Sequence, residues 1–108
     1  MQRLEDVFDR IDVKPARETC EAMKGLLEEG KQMMSEDADE DVMDAGLIAA
    51  AQKVEHYEIA SYGSMVAWCQ QLGLKKVGDL LQQTLDEEKK TDESLSSIAE
   101  SYVNEEAE

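Results

Sequence analysis

The chain is poor in whatever interrupts a helix, with one proline and six glycines among 108 residues. Ala, Leu, Glu, Lys, Met and Gln are abundant instead, which favours helix nearly throughout. Cys20 and Cys69 stand alone within helical patterns. They make neither a disulfide framework nor a metal-ligand spacing, and read as small buried hydrophobes. With a single histidine, no Gly-x-Ser-x-Gly and no Cys/His motif, a nucleophilic hydrolase lacks its parts. No glycine-rich phosphate loop is present either. No stretch approaches the ~18 apolar residues of a membrane span. The segment Met1–Asp6 lacks the apolar core of a signal peptide, so the cytoplasm is the expected location. Positive charge is scarce: 11 Lys and Arg against 26 Asp and Glu leave a net charge of −15. Such a surface repels nucleic acid and anionic membrane, and neither is an expected partner.

What is present is charge, 34% of residues, on a chain whose length fits one domain over residues 1–108. Three readings of the acidity compete: a solvated surface, adaptation to high salt, or a cation-attracting exterior feeding an internal site. The run from Ser35 to Asp41 suggests the second.

Helices are expected over about residues 2–11, 16–34, 40–72 and 75–103. In the first, Leu4, Val7, Phe8 and Ile11 share one side. Pro15 breaks the chain and suits the first turn of the second helix, whose apolar stripe reads Cys20, Met23, Leu27, Gly30 and Met34. Gly73 suits a C-terminal cap after the third helix, and residues 104–108 form a fraying tail. With so short a link, the third and fourth helices must fold back antiparallel.

On that hairpin the inward stripe of the third helix reads Leu47, Ala51, Glu55, Glu58, Tyr62, Met65, Cys69 and Leu72. The fourth reads Val77, Leu81, Thr84, Glu88, Asp92, Leu95, Ile98 and Tyr102. Both run in helical steps, yet both carry carboxylates where apolar side chains belong. Glu58 lies 15 residues before Gly73 and Glu88 lies 15 after it. The two should therefore meet at one level, ~22 Å from the turn, with Glu55 opposite Thr91 and Asp92.

Buried carboxylates are costly unless paired, protonated or bound to a cation. Di-metal bundles draw their ligands from inward glutamates, and iron or manganese suits such oxygen-rich sites. Glu55, Glu58, Glu88 and Asp92 are the candidate metal ligands, and no catalytic residue is assigned. His56 points ~100° away from Glu55, which suits a rim position or an orienting partner. Tyr57 and Tyr62 are placed to donate hydrogen bonds to the carboxylates. The bland reading makes residues 86–92 a solvated face laced with local ion pairs. It also makes His56 a surface histidine, the methionines core filler and Trp68 a packing anchor.

The block from Leu47 to Gly63, LIAAAQKVEHYEIASYG, resembles the signature of the YciE/YciF group of ferritin-like proteins. Cys20–Leu26 and Leu80–Glu88 resemble two further blocks of that group, in the same order. The resemblance implies a ferritin-like helical bundle, often dimeric, linked to bacterial stress responses and without an established activity. It maps the third-helix glutamate pair to Glu55 and Glu58, and the fourth-helix acidic positions to Glu88 and Asp92. Family members begin with two more long helices, and Arg3–Phe8 looks like the tail of the second of these. An apolar stripe left uncovered would then be an association surface.

The expectation is thus an all-α, ferritin-like half-bundle, completed by homodimerisation, with a di-iron or di-manganese centre between carboxylates. The alternative is a non-catalytic structural or interaction protein with no metal.

Overall fold

The computed structural model describes residues 2–107, without the side chains of Tyr102, Val103, Glu105 and Glu106. Tyr102, the last position of the expected fourth-helix stripe, therefore lies outside the described side chains. The described residues are all helical or irregular, with no strand among them. Four helices carry the architecture: α1 (Gln2–Arg10), α2 (Glu21–Ser35), α3 (Glu40–Leu72) and α4 (Lys75–Ile98).

Helix α1 buries Val7 and stops in a Schellman turn. Asp12 takes the left-handed conformation at φ 56°, while Val13 N–H donates to Phe8 C=O at 3.1 Å. The second helix starts at Glu21, not near residue 16 as expected. Ala16–Thr19 offers no large apolar side chain to bury, so extending the helix would gain no packing to offset its ordering. Cys20 caps α2 instead, its Sγ accepting from Met23 N–H at 3.5 Å.

The expected α2 stripe holds at Met23 and Gly30 but shifts by one position at Leu27 and Met34. Leu26 and Met33 are half-buried, whereas Leu27 and Met34 are 58% and 62% exposed. Helix α2 crosses α3 at Gly46, where an added Cβ would stand 2.6 Å from Met33 Sδ.

Helix α3 begins with acidic residues Glu40 and Asp41 in its first turn, which complement the helix dipole. It ends in a second Schellman turn around Gly73, at φ 72°, with Leu74 N–H donating to Cys69 C=O at 2.9 Å. Helix α4 stays α-helical only to Ile98, short of the expected 103, and then widens into a π-helical turn over Ala99–Val103. A final turn, α5 (Asn104–Ala107), lies against α3, so the tail expected to fray is helical and packed as far as Ala107.

The pairing order is open rather than closed. Helix α3 packs along α4, α2 lies against α3, and α1 against α4; α2 does not approach α4. Val7, Cys69, Val77 and Leu81 form the core cluster, with Leu85 and Ala99 buried further along. The radius of gyration is 17.0 Å and the extents are 50 × 28 × 21 Å. A compact chain of this length would have a radius near 13 Å, so the molecule is a slab. The expected inward stripe holds at Cys69, Val77 and Leu81 but misses Leu85. At its ends Leu47, Leu72 and Ile98 are 36%, 72% and 49% exposed, because none of the described helices covers that side. Trp68, expected to anchor packing, is 62% exposed for the same reason.

Candidate metal centre

The hairpin brings three of the four candidate carboxylates together. Glu55 and Glu58 sit one turn apart on α3, and Glu88 faces them from α4. One oxygen from each of the three lies within 4.8 Å of the others. All three side chains are half-buried.

The electrostatics are those of crowded like charges. Burial pushes the Glu58 carboxyl up, and neighbouring Glu88 pushes it further. Burial is also the main cause of the upward shift of Glu88, to which Glu55 adds while hydrogen bonding with Glu58 opposes it. Glu55 Oε2 is buried and has no hydrogen-bond partner. A buried acceptor without a donor carries its full desolvation cost. The cluster can relieve that cost by taking up a proton or a cation.

Asp92 does not join the cluster. Its Oδ1 lies 2.8 Å from His56 Nε2 and accepts from Gln52 Nε2 at 3.3 Å. Gln52 also donates to Ser96 Oγ at 2.8 Å, so this network ties α3 to α4 beside the carboxylates. Asp92 thus sits between the levels of Gln52 and His56, at the height expected for it, but bonds to them rather than to Glu55. His56 is 63% exposed and occupies the rim, bound to Asp92.

The two tyrosines separate as well. The Tyr57 hydroxyl shares a 3.0 Å hydrogen bond with Cys20 Sγ, fastening the start of α2 to α3. It does not serve the carboxylates. Tyr62 stays beside them: burial raises its pKa, and the charges of Glu58 and then Glu88 raise it further.

Sequence reasoning missed the clamp on the other flank. Arg3 donates to Thr84 Oγ1 at 2.8 Å and to both Glu87 oxygens at 2.8 and 3.0 Å. This fork holds the Glu87 carboxyl below its ordinary range and fixes α1 to α4 within a turn of Glu88. A contact spanning 81 residues leaves no periodic trace in the sequence.

A family model described as a domain of unknown function (DUF892) matches residues 1–108. Protein YciF of Escherichia coli (strain K12) is 46% identical over 109 residues, spanning 100% of this chain and 66% of that protein. The crystal structure of the E. coli stress protein YciF matches with a TM-score of 0.89, covering 95% of this chain and 65% of that one. YcfI of Rhodopseudomonas palustris, described as a candidate structural protein, matches with a TM-score of 0.86 at 41% identity. It is covered over 62% of its length, against 91% of this chain. The chain thus spans about two thirds of the length of these relatives.

Proposed function

Because the chain belongs to the DUF892 family, we propose that it is a stress-associated ferritin-like protein binding iron or manganese through Glu55, Glu58 and Glu88. The observation that carries the reading is the orphaned Glu55 Oε2 beside the Glu58 and Glu88 carboxyls, both held above their ordinary range. Three hard oxygen donors of net negative charge fit a divalent cation of this kind. Bound there, iron or manganese would supply one-electron chemistry toward oxygen or peroxide.

The residues of the chain have their own parts in this. Glu58 and Glu88 would give up the protons that burial favours on them, and Glu55, Glu58 and Glu88 would present one oxygen each. The Arg3 fork withdraws Glu87 from competition by holding both its oxygens. His56 and Gln52 hold Asp92 one turn away, where it can orient rather than ligate. Tyr62 supplies a half-buried phenol beside Glu58 and Glu88. A homodimer, a two-metal centre formed where two clusters meet, and a cytoplasmic location without nucleic-acid partners complete the reading. No described helix is long and apolar enough to cross a membrane.

A second reading, a structural protein without metal, draws on the description of the R. palustris relative. Metal content decides between them. Gel-filtered chain loaded anaerobically with Fe(II) should retain the metal in stoichiometric amount, and Glu58→Gln with Glu88→Gln should abolish retention. Retention unchanged by both substitutions would remove the cluster as the site, and no retention by the parent chain would favour the structural reading.

A further inference from the structure

We propose that Met33 is an oxidation site for hydrogen peroxide, and that forming its sulfoxide releases α2 from α3. The inference is independent of the carboxylate cluster and needs no cation.

The contact follows from the side chain that Gly46 lacks. Gly46 lies near the start of α3, where α2 crosses it with the end of Met33. A Cβ there would stand 2.6 Å from Met33 Sδ, 3.2 Å from Cε and 3.3 Å from Cγ. The whole thioether thus fills the space that a side chain at residue 46 would take. An unbranched, apolar and polarisable group suits such a gap. The fit leaves no room for a further atom on that side.

Little else secures α2. It spans Glu21–Ser35, buries no residue fully and carries Gly25 and Gly30, which weaken a helix from within. A 15-residue helix of this kind is marginal by itself, so α2 keeps its form by staying docked. At its start Cys20 Sγ shares the 3.0 Å bond with the Tyr57 hydroxyl. Midway, Lys53 Nζ lies 3.2 Å from Glu29 Oε2, but both side chains are exposed and the pair contributes little. Irregular segments flank the helix over residues 13–20 and 36–39, so it can leave α3 without moving another helix.

The sulfur is within reach of a small oxidant. Glu29, Gln32, Glu36, Ala50 and Lys53 line a hollow of about 270 Å³ beside Met33. Sulfur attacks one peroxide oxygen and the O–O bond breaks. That oxygen stays on sulfur as the sulfoxide, its proton passes to the departing hydroxide, and water leaves. Sulfur gives up the two electrons that the peroxide gains. The product places a polar oxygen where a thioether was packed. Toward α3 that oxygen finds no donor, because the Gly46 N–H already serves the helix. Turning it into the hollow, toward water, Gln32 and Lys53, draws the sulfur out of the gap. Either way the contact that fastens the end of α2 is lost.

Amide exchange in the full chain carrying Cys20→Ser tests this. The substitution removes the exposed thiol and keeps a capping hydroxyl beside Tyr57. After hydrogen peroxide treatment in EDTA, mass spectrometry reads the sulfoxide at each methionine and the deuterium uptake of each helix. Conversion of Met33 should speed exchange across Glu21–Ser35 by about tenfold or more, while residues 77–85 of α4 stay protected. Met33→Leu, similar in volume and inert to peroxide, should hold α2 at its untreated rate. Met34→Leu, at the exposed neighbouring position, should leave the response unchanged. Met33→Gln sets an amide oxygen near the place of the sulfoxide oxygen and should give fast exchange without peroxide. Full conversion of Met33 with α2 still slow overturns the proposal. Release of α2 that persists in Met33→Leu overturns it too, as does a Met33 that stays reduced while Met34 is oxidised.

Discussion

A glutamate set among apolar neighbours persists there by keeping a proton, finding a cation or staying wet. For Glu58 and Glu88 burial favours the first. Both carboxyls are raised above their ordinary range, chiefly by burial, so the folded chain holds protons that the unfolded chain has already released. Stability then falls as pH rises. The contribution is complete below the unfolded carboxylate value of about 4.3 and is lost as pH climbs through the raised folded values. Glu58→Gln keeps the shape and removes the titration. In metal-free buffer, melting temperature should therefore fall less steeply between pH 4.5 and 7 in this variant than in the parent, as thermal denaturation would record. Equal slopes would mean that the carboxylates are fully solvated. Their meeting was legible because Gly73 fixes a turn from which Glu58 and Glu88 are equidistant. The separation of Tyr57 from the cluster was not legible, since it depends on where Cys20 stands, and Cys20 lies on an irregular segment.

Elements were legible wherever local chemistry ends them. Gly73 adopts φ 72° and closes α3, a conformation that L side chains adopt only under strain. Gly73→Ala should cost about 1 kcal/mol of unfolding free energy in denaturant titration, with helix content unchanged. No change at all would mean that the turn re-forms without a left-handed residue. The start of α2 illustrates the opposite case. Pro15 permits a helix at residue 16, but permission is not stabilisation: nothing from Ala16 to Thr19 reaches the core, and the helix waits for Met23 and Leu26. The two shifted positions of the α2 stripe have the same origin. Leu26–Leu27 and Met33–Met34 are adjacent apolar pairs, and only the docking of α2 on Gly46 decides which member of each faces inward.

At the scale of the whole molecule, a slab 21 Å thick with a net charge of −15 has much self-repulsion and a thin core. Monovalent salt should therefore raise the melting temperature of the metal-free chain by screening over a Debye length of about 10 Å at 0.1 M. That gain belongs to the charge distribution as a whole and should survive Glu58→Gln combined with Glu88→Gln. Mn(II) at matched ionic strength adds a separate gain if the cluster binds it, because a ligand held only by the folded state stabilises it. At 100 times the dissociation constant this is about 2.7 kcal/mol, or roughly 10 °C for a chain of this size. The double variant should keep the salt response and lose the Mn(II) response. Calorimetry on both proteins in NaCl and in MnCl₂ of equal ionic strength reads the difference. If the two chains respond alike to Mn(II), the ion is acting on the general acidity of the slab and Glu55, Glu58 and Glu88 hold nothing of their own.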